Sequence, residues 1–430
     1  MKGKNLLTAA LAVSALVGIS ACGGGDGGGT GDATALEGTG PITLASGKDT
    51  SGFVQGVLDE WNKENPDEKV TLVELPEDAD SQRQRMIQNA QTESDAFDVL
   101  NLDVVWTAEF AANKYVVELP VDEFPTEEMF GPTLETGQYF GKQYAIPSAS
   151  DGGLLYYRTD LLDAAGIENP PETWAEMEEQ CKQIQSMPEG EGADCFAGQF
   201  DKYEGLTVNA SEAINGAGGE IIGEDGKPNV DTPEAIAGLD FLVAGFESGM
   251  IAKEAIEYQE EEGRRAFQAG KLIFHRQWPY QYGLANATDG SSKVAGKFAV
   301  APLPGLDGPG VSSLGGHDLA VSAFSKNQKT ALEFIKFYTS LEGSRKQLVL
   351  GNLAPVYSEL YEDPALLKKF PYLSVLKESI LNAQPRPKVV DYGDATIAIQ
   401  DAAYAALRGE MSTEDAVKQM QSDLEEIVTK

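Results

Sequence analysis

Short apolar runs and longer stretches with helical spacing alternate along the chain. Pro41-Ile42-Thr43-Leu44-Ala45, Val70-Thr71-Leu72-Val73-Glu74-Leu75 and Phe97-Asp98-Val99-Leu100-Asn101-Leu102 read as strands, the last of them buried. Between them, Phe53 to Trp61 places apolar residues at helical spacing and stops near Asn65-Pro66. Ser81 to Thr92 predicts a polar-faced helix carrying Arg83 and Arg85, and Trp106 to Lys114 a further helix, stopped before Tyr115 to Pro120. Strands and helices taken in turn predict an α/β sheet with crossover helices.

A second alternating body follows. Gly153 to Tyr157 reads as a strand, Thr159 to Ala165 as a helix closed by Gly166, and Thr173 to Met187 as another helix. Glu224-Asp225-Gly226-Lys227 has the residues of a hairpin turn. Thr232-Pro233-Glu234 opens a helix with a cap and a first-turn proline. Glu262 to Ala269 predicts a helix and Lys271 to Phe274 a strand. Phe298 to Pro304 reads as a strand running into a proline-braced crossover, and Leu319 to Ser322 as a short strand. Lys329 to Leu341 and much of the stretch from Ile397 onward are helical. No repeat of fixed period is present.

Composition narrows the function. The chain has 430 residues, 42% hydrophobic and 23% charged, enough apolar material for two cores. Its net charge of −35 repels phosphates and anionic lipid heads, which argues against a nucleic-acid partner. Two histidines and three cysteines are too few for a His-rich zinc site or an iron–sulfur cluster, and no cofactor is called for.

Residues 1–21 have the layout of a secretory signal: Lys2 and Lys4, an apolar run from Leu6 to Ile19, then small residues. Ile19-Ser20-Ala21-Cys22 resembles the bacterial lipobox, in which the cysteine is lipidated, so Cys22 is the expected anchor. Residues 22–40 read as a glycine-rich flexible tether. The expected location is extracytoplasmic, held by lipid alone to the outer face of the bacterial cell membrane. In that oxidising space Cys181 and Cys195 are expected to form a disulfide across a loop that includes Pro188 and Gly190.

The sequence contains no Gly-x-Ser-x-Gly and no phosphate-loop motif. His275 and His317 belong to no metal-spaced pair, and His275 reads as a core residue. Three segments point to recognition instead. Phe274 to Tyr282 crowds aromatics just beyond a strand end, where open α/β sheets place ligands, and flat Trp and Tyr faces suit a sugar ring. Asn101-Leu102-Asp103 is the acidic end of a strand, and Pro385-Arg386-Pro387 holds an arginine between prolines. A carboxylate and a fixed guanidinium fork read hydroxyls well.

From about Ile42 onward the chain resembles the extracellular solute-binding proteins of carbohydrate ABC transporters, and within them the trehalose/maltose-type proteins. The matching motifs are Asp103-Val104-Val105-Trp106-Thr107-Ala108-Glu109-Phe110, Asp151-Gly152-Gly153-Leu154-Leu155-Tyr156-Tyr157-Arg158, Tyr203-Glu204-Gly205-Leu206-Thr207-Val208-Asn209, Trp278-Pro279-Tyr280 and Leu314-Gly315-Gly316. The resemblance implies a two-lobed periplasmic-binding-protein fold, α/β and type II-like, with hinge strands and a ligand cleft between the lobes. The lobes would take 41–146 plus 303–343, and 147–302 plus 344–430.

The resemblance further implies that Asp103 accepts sugar hydroxyls and Arg83 donates to them, with Arg85 as the alternative register. Asp151 and Glu204 would reach in from the second lobe. Trp278 would stack on a ring with Tyr280 nearby, the backbone at Gly315 and Gly316 would lie close to the sugar, and Arg386 would close the far side. Lys48 and Asp49 are further candidates after the first strand. Where relatives commonly place an aromatic after the double glycine this chain has His317, which removes a stacking surface and adds a polar one. The expected function is capture of a disaccharide or short oligosaccharide of the maltose, trehalose or α-glucoside class by a monomer that delivers it to permease subunits. It is a binding protein rather than an enzyme. The alternatives are a secreted glycoside-acting enzyme and a binding protein for a nonsugar solute.

Overall fold

Two separate sheets carry most of the strands. A computed structural model describes residues 36–223 and 225–428. In chain order the strands are β1 (Ile42–Ser46), β2 (Val70–Glu74), β3 (Val99–Asp103), β4 (Gln138–Tyr139), β5 (Lys142–Gln143), β6 (Ala145–Gly152), β7 (Leu154–Arg158), β8 (Asp194–Ala197), β9 (Leu272–Gln277), β10 (Phe298–Ala301) and β11 (Leu314–Val321). The first sheet has the order β2-β1-β3-β11-β6 and the second β10-β7-β9-β8, while β4 and β5 form a small hairpin. In the first sheet β1, β2 and β3 run parallel, and β11 runs antiparallel between β3 and β6.

The amphipathic pattern explains how the first sheet is covered. In the Val54–Glu64 helix the buried residues are Val54, Val57, Leu58 and Trp61, one stripe at helical spacing. Trp61 meets Phe334 edge to face at 5.5 Å, which locks this helix to the Gln328–Tyr338 helix. The second sheet is backed by the Glu204–Gly216 helix, buried along nearly its whole length. Thr173 caps the Trp174–Gln185 helix in a reciprocal box with Glu176, and Thr232 with Pro233 opens the Pro233–Ser248 helix as the sequence predicts. Gly166 closes the Thr159–Ala165 helix in the left-handed region. Cys181 and Cys195 are disulfide-bonded, joining the Trp174–Gln185 helix to β8.

Several elements differ from the sequence reading. The helix expected over Trp106 to Lys114 spans only Thr107–Ala112, because the chain turns back at Lys114 with φ of 59°. The strand read as Leu319 to Ser322 begins at Leu314, its first half hidden by two glycines. β6 was not expected, since Pro147 and Gly152 interrupt its pattern. It stays in the first sheet to Gly152, so the chain passes from the first sheet to the second at Gly153. At the predicted 224–227 turn, Ile222 and Pro228 form an isolated antiparallel bridge.

The signal segment, Cys22 and most of the tether lie outside the described residues. The last tether residues belong to the folded body: the carbonyls of Glu37 and Gly38 accept the Lys329 N–H, and the Gly40 N–H donates to Thr330 Oγ1 at 3.2 Å. Among the described residues no helix is long and apolar enough to cross a membrane.

Candidate functional site

The first sheet brings four predicted residues, Asp103, Asp151, Gly316 and His317, to one place. β3 runs parallel to β1 and ends in Asp103, and in the antiparallel register of β11 His317 lies opposite it. On the other flank of β11, Gly315 lies opposite Asp151 of β6. Gly316 has φ of +120°, and a Cβ there would stand 2.2 Å from the Ala149 carbonyl oxygen, so only glycine fits. Asp103 and Asp151 are close enough that each charge opposes the other.

The second sheet supplies the aromatic. β9 ends at Gln277 and Trp278 follows it. A Cβ on Gly315 would lie 2.8 Å from both Cη2 and Cζ3 of that indole, so the double glycine lets a ring from the second sheet rest on a strand of the first. The Tyr156 hydroxyl donates to the Trp278 carbonyl at 3.1 Å, and the Trp278 N–H donates to Gln277 Oε1 at 2.9 Å.

Arg386 crosses the remaining gap. Its Nη2 donates to Asp103 Oδ1 at 2.6 Å and its Nη1 to Glu204 Oε1 at 2.5 Å, tying the end of β3 to the start of the Glu204–Gly216 helix. Glu204 also accepts from the hydroxyls of Tyr392 and Thr396. Arg386 Nε, buried as well, has no hydrogen-bond partner among the described residues.

Burial dominates the electrostatics here. It pushes the Asp151 carboxyl up to about 7, reinforced by Asp103 and opposed by Arg276. It likewise pushes Glu204 up to about 7, against the lowering effect of Arg386. Burial lowers His317, although Asp103 pulls the other way. The neighbouring Asp318, buried under the hydroxyls of Thr107 and Thr136, is also pushed up to about 7.

The other predicted residues divide. Arg83 pairs bidentately with Glu109 at 2.7 and 2.5 Å and lies against Gly393, next to Tyr392; Arg85 is exposed, so Arg83 has the inward register. The Tyr280 hydroxyl donates to Glu261 at 2.9 Å. Lys48 makes an exposed pair with Glu77. Asp49 accepts the N–H groups of Gly52 and Val54, so its carboxylate closes the turn that begins the first helix. His275 is fully buried, ring-stacked with Phe267, in line with a core residue.

Sequence reasoning missed Arg276, Glu212, Tyr392 and Thr396. The spacing of Arg276 and Trp278 was a usable signal, because alternate residues of a strand share a face. The others sit inside buried helices and give no such sign. A cavity of about 320 Å³ opens between Val104 to Ala108, Glu135 to Phe140 and Pro385 to Val390; Arg386 lines it, but Asp151, Glu204 and Trp278 do not. Among the described residues no His, Cys, Asp and Glu side chains cluster as a metal would require.

The family model for bacterial extracellular solute-binding proteins matches residues 45–344. The chain belongs to this family. A relative from Deinococcus radiodurans, described as a probable ABC transporter-binding protein, is 32% identical over 377 residues, covering 86% of this chain and 89% of the relative. An arabinooligosaccharide-binding protein of Halalkalibacterium halodurans is 24% identical and covers 86% of this chain and 83% of its own length. Among solved structures, maltose-bound MalE3 of T. maritima superposes with a TM-score of 0.85 at 33% identity, covering 89% of this chain and 98% of that one. This extracellular solute-binding protein therefore has the two-lobed α/β architecture of its family and works outside the cytoplasm by holding a solute. Its two sheets are the frames of that architecture, and the residues gathered between them are its candidate solute contacts.

Proposed function

We propose that the protein captures a disaccharide or short oligosaccharide of the α-glucoside class between its two lobes and hands it, unaltered, to the permease of an ABC importer. The observation that carries this reading is the convergence of Asp103, Asp151 and His317 from the first sheet with Trp278 just beyond β9, Glu204 at the start of the Glu204–Gly216 helix and Arg386 between its two prolines. Their chemistry suits a neutral polyhydroxylated ring. Carboxylates accept hydrogen bonds from hydroxyls, and the indole offers an apolar face. Maltose bound to MalE3 supports this class, and the name of the arabinooligosaccharide-binding relative supports an oligosaccharide more broadly.

In this reading the lobes comprise 41–146 plus 303–343 and 147–302 plus 344–430. Sugar favours the closed form because only closure lets both lobes touch it. A micromolar dissociation constant corresponds to about −8.2 kcal/mol, within reach of a few charge-assisted hydrogen bonds and a stacked ring. Lipidation at Cys22 anchors the monomer beside its permease. Lys48 and Asp49 contribute at most at the rim, since both already have local partners.

A thermal-shift panel of maltose, trehalose, cellobiose, arabinobiose and mannitol tests the reading. Saturating maltose or trehalose is expected to raise the melting temperature, since ligand at 100 times its dissociation constant adds about 2.7 kcal/mol. Chromatography of the incubated sugar should return it intact. A shift with mannitol alone, or cleavage of the sugar, would overturn the proposal.

A further inference from the structure

Arg276 is the last-but-one residue of β9, and Trp278 follows the strand's final residue, Gln277. The Arg276 guanidinium carbon lies 3.9 Å from the centroid of the Trp278 ring. The guanidinium is held flat by other contacts. Nε and Nη2 donate bidentately to Glu212 at 2.7 and 2.5 Å, and Nη1 donates to Gln199 Oε1 at 3.1 Å. Only 2% of Arg276 is exposed, so this charge faces no solvent and serves the interior.

Glu212 carries the connection further. Its Oε1 accepts the Ser313 N–H at 3.1 Å and the Ser312 hydroxyl, while the Gly153 N–H donates to Ser312 Oγ at 2.6 Å. Gly153 and Ser312–Ser313 are the places where the chain passes between the two sheets. A side chain at Gly153 would displace the ion pair, since its Cβ would lie 2.7 Å from Arg276 Nη2 and 2.9 Å from Glu212 Oε1.

We infer that Arg276 is a positioning residue: fixed by Glu212 to the crossover strands, it supports one face of the Trp278 indole so that the other face is held ready for a sugar ring. This rests on the proposed sugar-binding reading. A planar guanidinium stacks on an aromatic face, whereas an ammonium lacks the plane and the fork that orients it. The network thereby ties the setting of the ring to the strands on which the lobes turn.

A double-mutant cycle read by titration calorimetry, with maltose and in parallel trehalose, tests this. Arg276→Lys is expected to raise the dissociation constant at least tenfold when Trp278 is present and less than twofold in a Trp278→Ala background. The near-ultraviolet circular dichroism of the sugar-free protein should lose the Trp278 band in Arg276→Lys. Should that variant fail to fold, the paired Arg276→Met, Glu212→Leu change removes both buried charges together, a replacement that cores commonly tolerate, and the same tenfold loss is expected. Equal weakening in both backgrounds, an unchanged dissociation constant, or an unaltered Trp278 band would overturn the positioning role while leaving sugar binding standing. No heat from either sugar with the parent protein would overturn the sugar reading, and this inference with it.

Discussion

The Arg386 guanidinium joins Asp103 and Glu204, two carboxylates brought in by different parts of the chain, at 2.6 and 2.5 Å. One cation thus offsets two buried anions. Removing it leaves both uncompensated, a change that costs about 3–5 kcal/mol when a buried pair is broken. Arg386→Met is expected to lower the melting temperature of the sugar-free protein by about four to six degrees and to abolish sugar binding, as checked by calorimetric melting and titration.

Asp103→Asn is a milder case. The amide keeps an oxygen for Arg386 Nη2 but loses the charge, and Arg386 retains Glu204. A hydrogen bond to a charged group contributes about 1.5–3 kcal/mol. The variant should bind sugar at least tenfold more weakly while melting only a few degrees below the parent. A fall in melting temperature as large as that of Arg386→Met would place Asp103 in the fold rather than in the site.

Acid should stabilise the sugar-free protein over a defined window. Asp151, Glu204 and Asp318 are each pushed up to about 7 by burial. Such groups hold protons more tightly folded than unfolded, so the cost of burying their charge is fully present above about 7 and is relieved as pH falls toward their ordinary values near 4. Carboxyls held low by a partner, such as Asp363 beside Arg345, act only below that window. Melting temperature is therefore expected to rise between pH 8 and about pH 6.5, below which buried His275, held down to about 3, and His317, also lowered, act in the opposite direction; Asp151→Asn should flatten part of that rise. A parent protein that loses stability steadily over this range would contradict the assignment.

The disulfide closes a short loop between Cys181 and Cys195, 14 residues apart. By chain entropy a loop of about that length contributes about 3 kcal/mol. Urea unfolding with and without reductant measures it. The reduced protein should unfold at a clearly lower urea midpoint with an unchanged slope.

Much of this was legible in the sequence, and what was not has physical causes. The parallel strands β1 to β3 and the capped helices announce themselves by period and by cap residues such as Thr173 and Thr232. β6 and the first half of β11 did not, because the glycines and proline that break their pattern are there to let other parts approach: Gly315 admits an indole and Gly316 a neighbouring carbonyl. Asp103, Trp278 and Arg386 were identified from strand ends and motif resemblance. Glu212, which holds Arg276, and Tyr392 and Thr396, which donate to Glu204, lie in buried helices, where a polar residue looks like a packing exception until its contact is seen. Asp49, a carboxylate beside the first strand, has a local task that the sequence did not announce: it accepts the N–H groups of a turn.

Titration calorimetry of maltose into the sugar-free parent and into Trp278→Ala tests the central claim most directly. The account predicts saturable one-site binding by the parent, with a dissociation constant at least tenfold tighter than that of Trp278→Ala, and the same circular dichroism fold signature for both. Binding of equal affinity by the two proteins would contradict it.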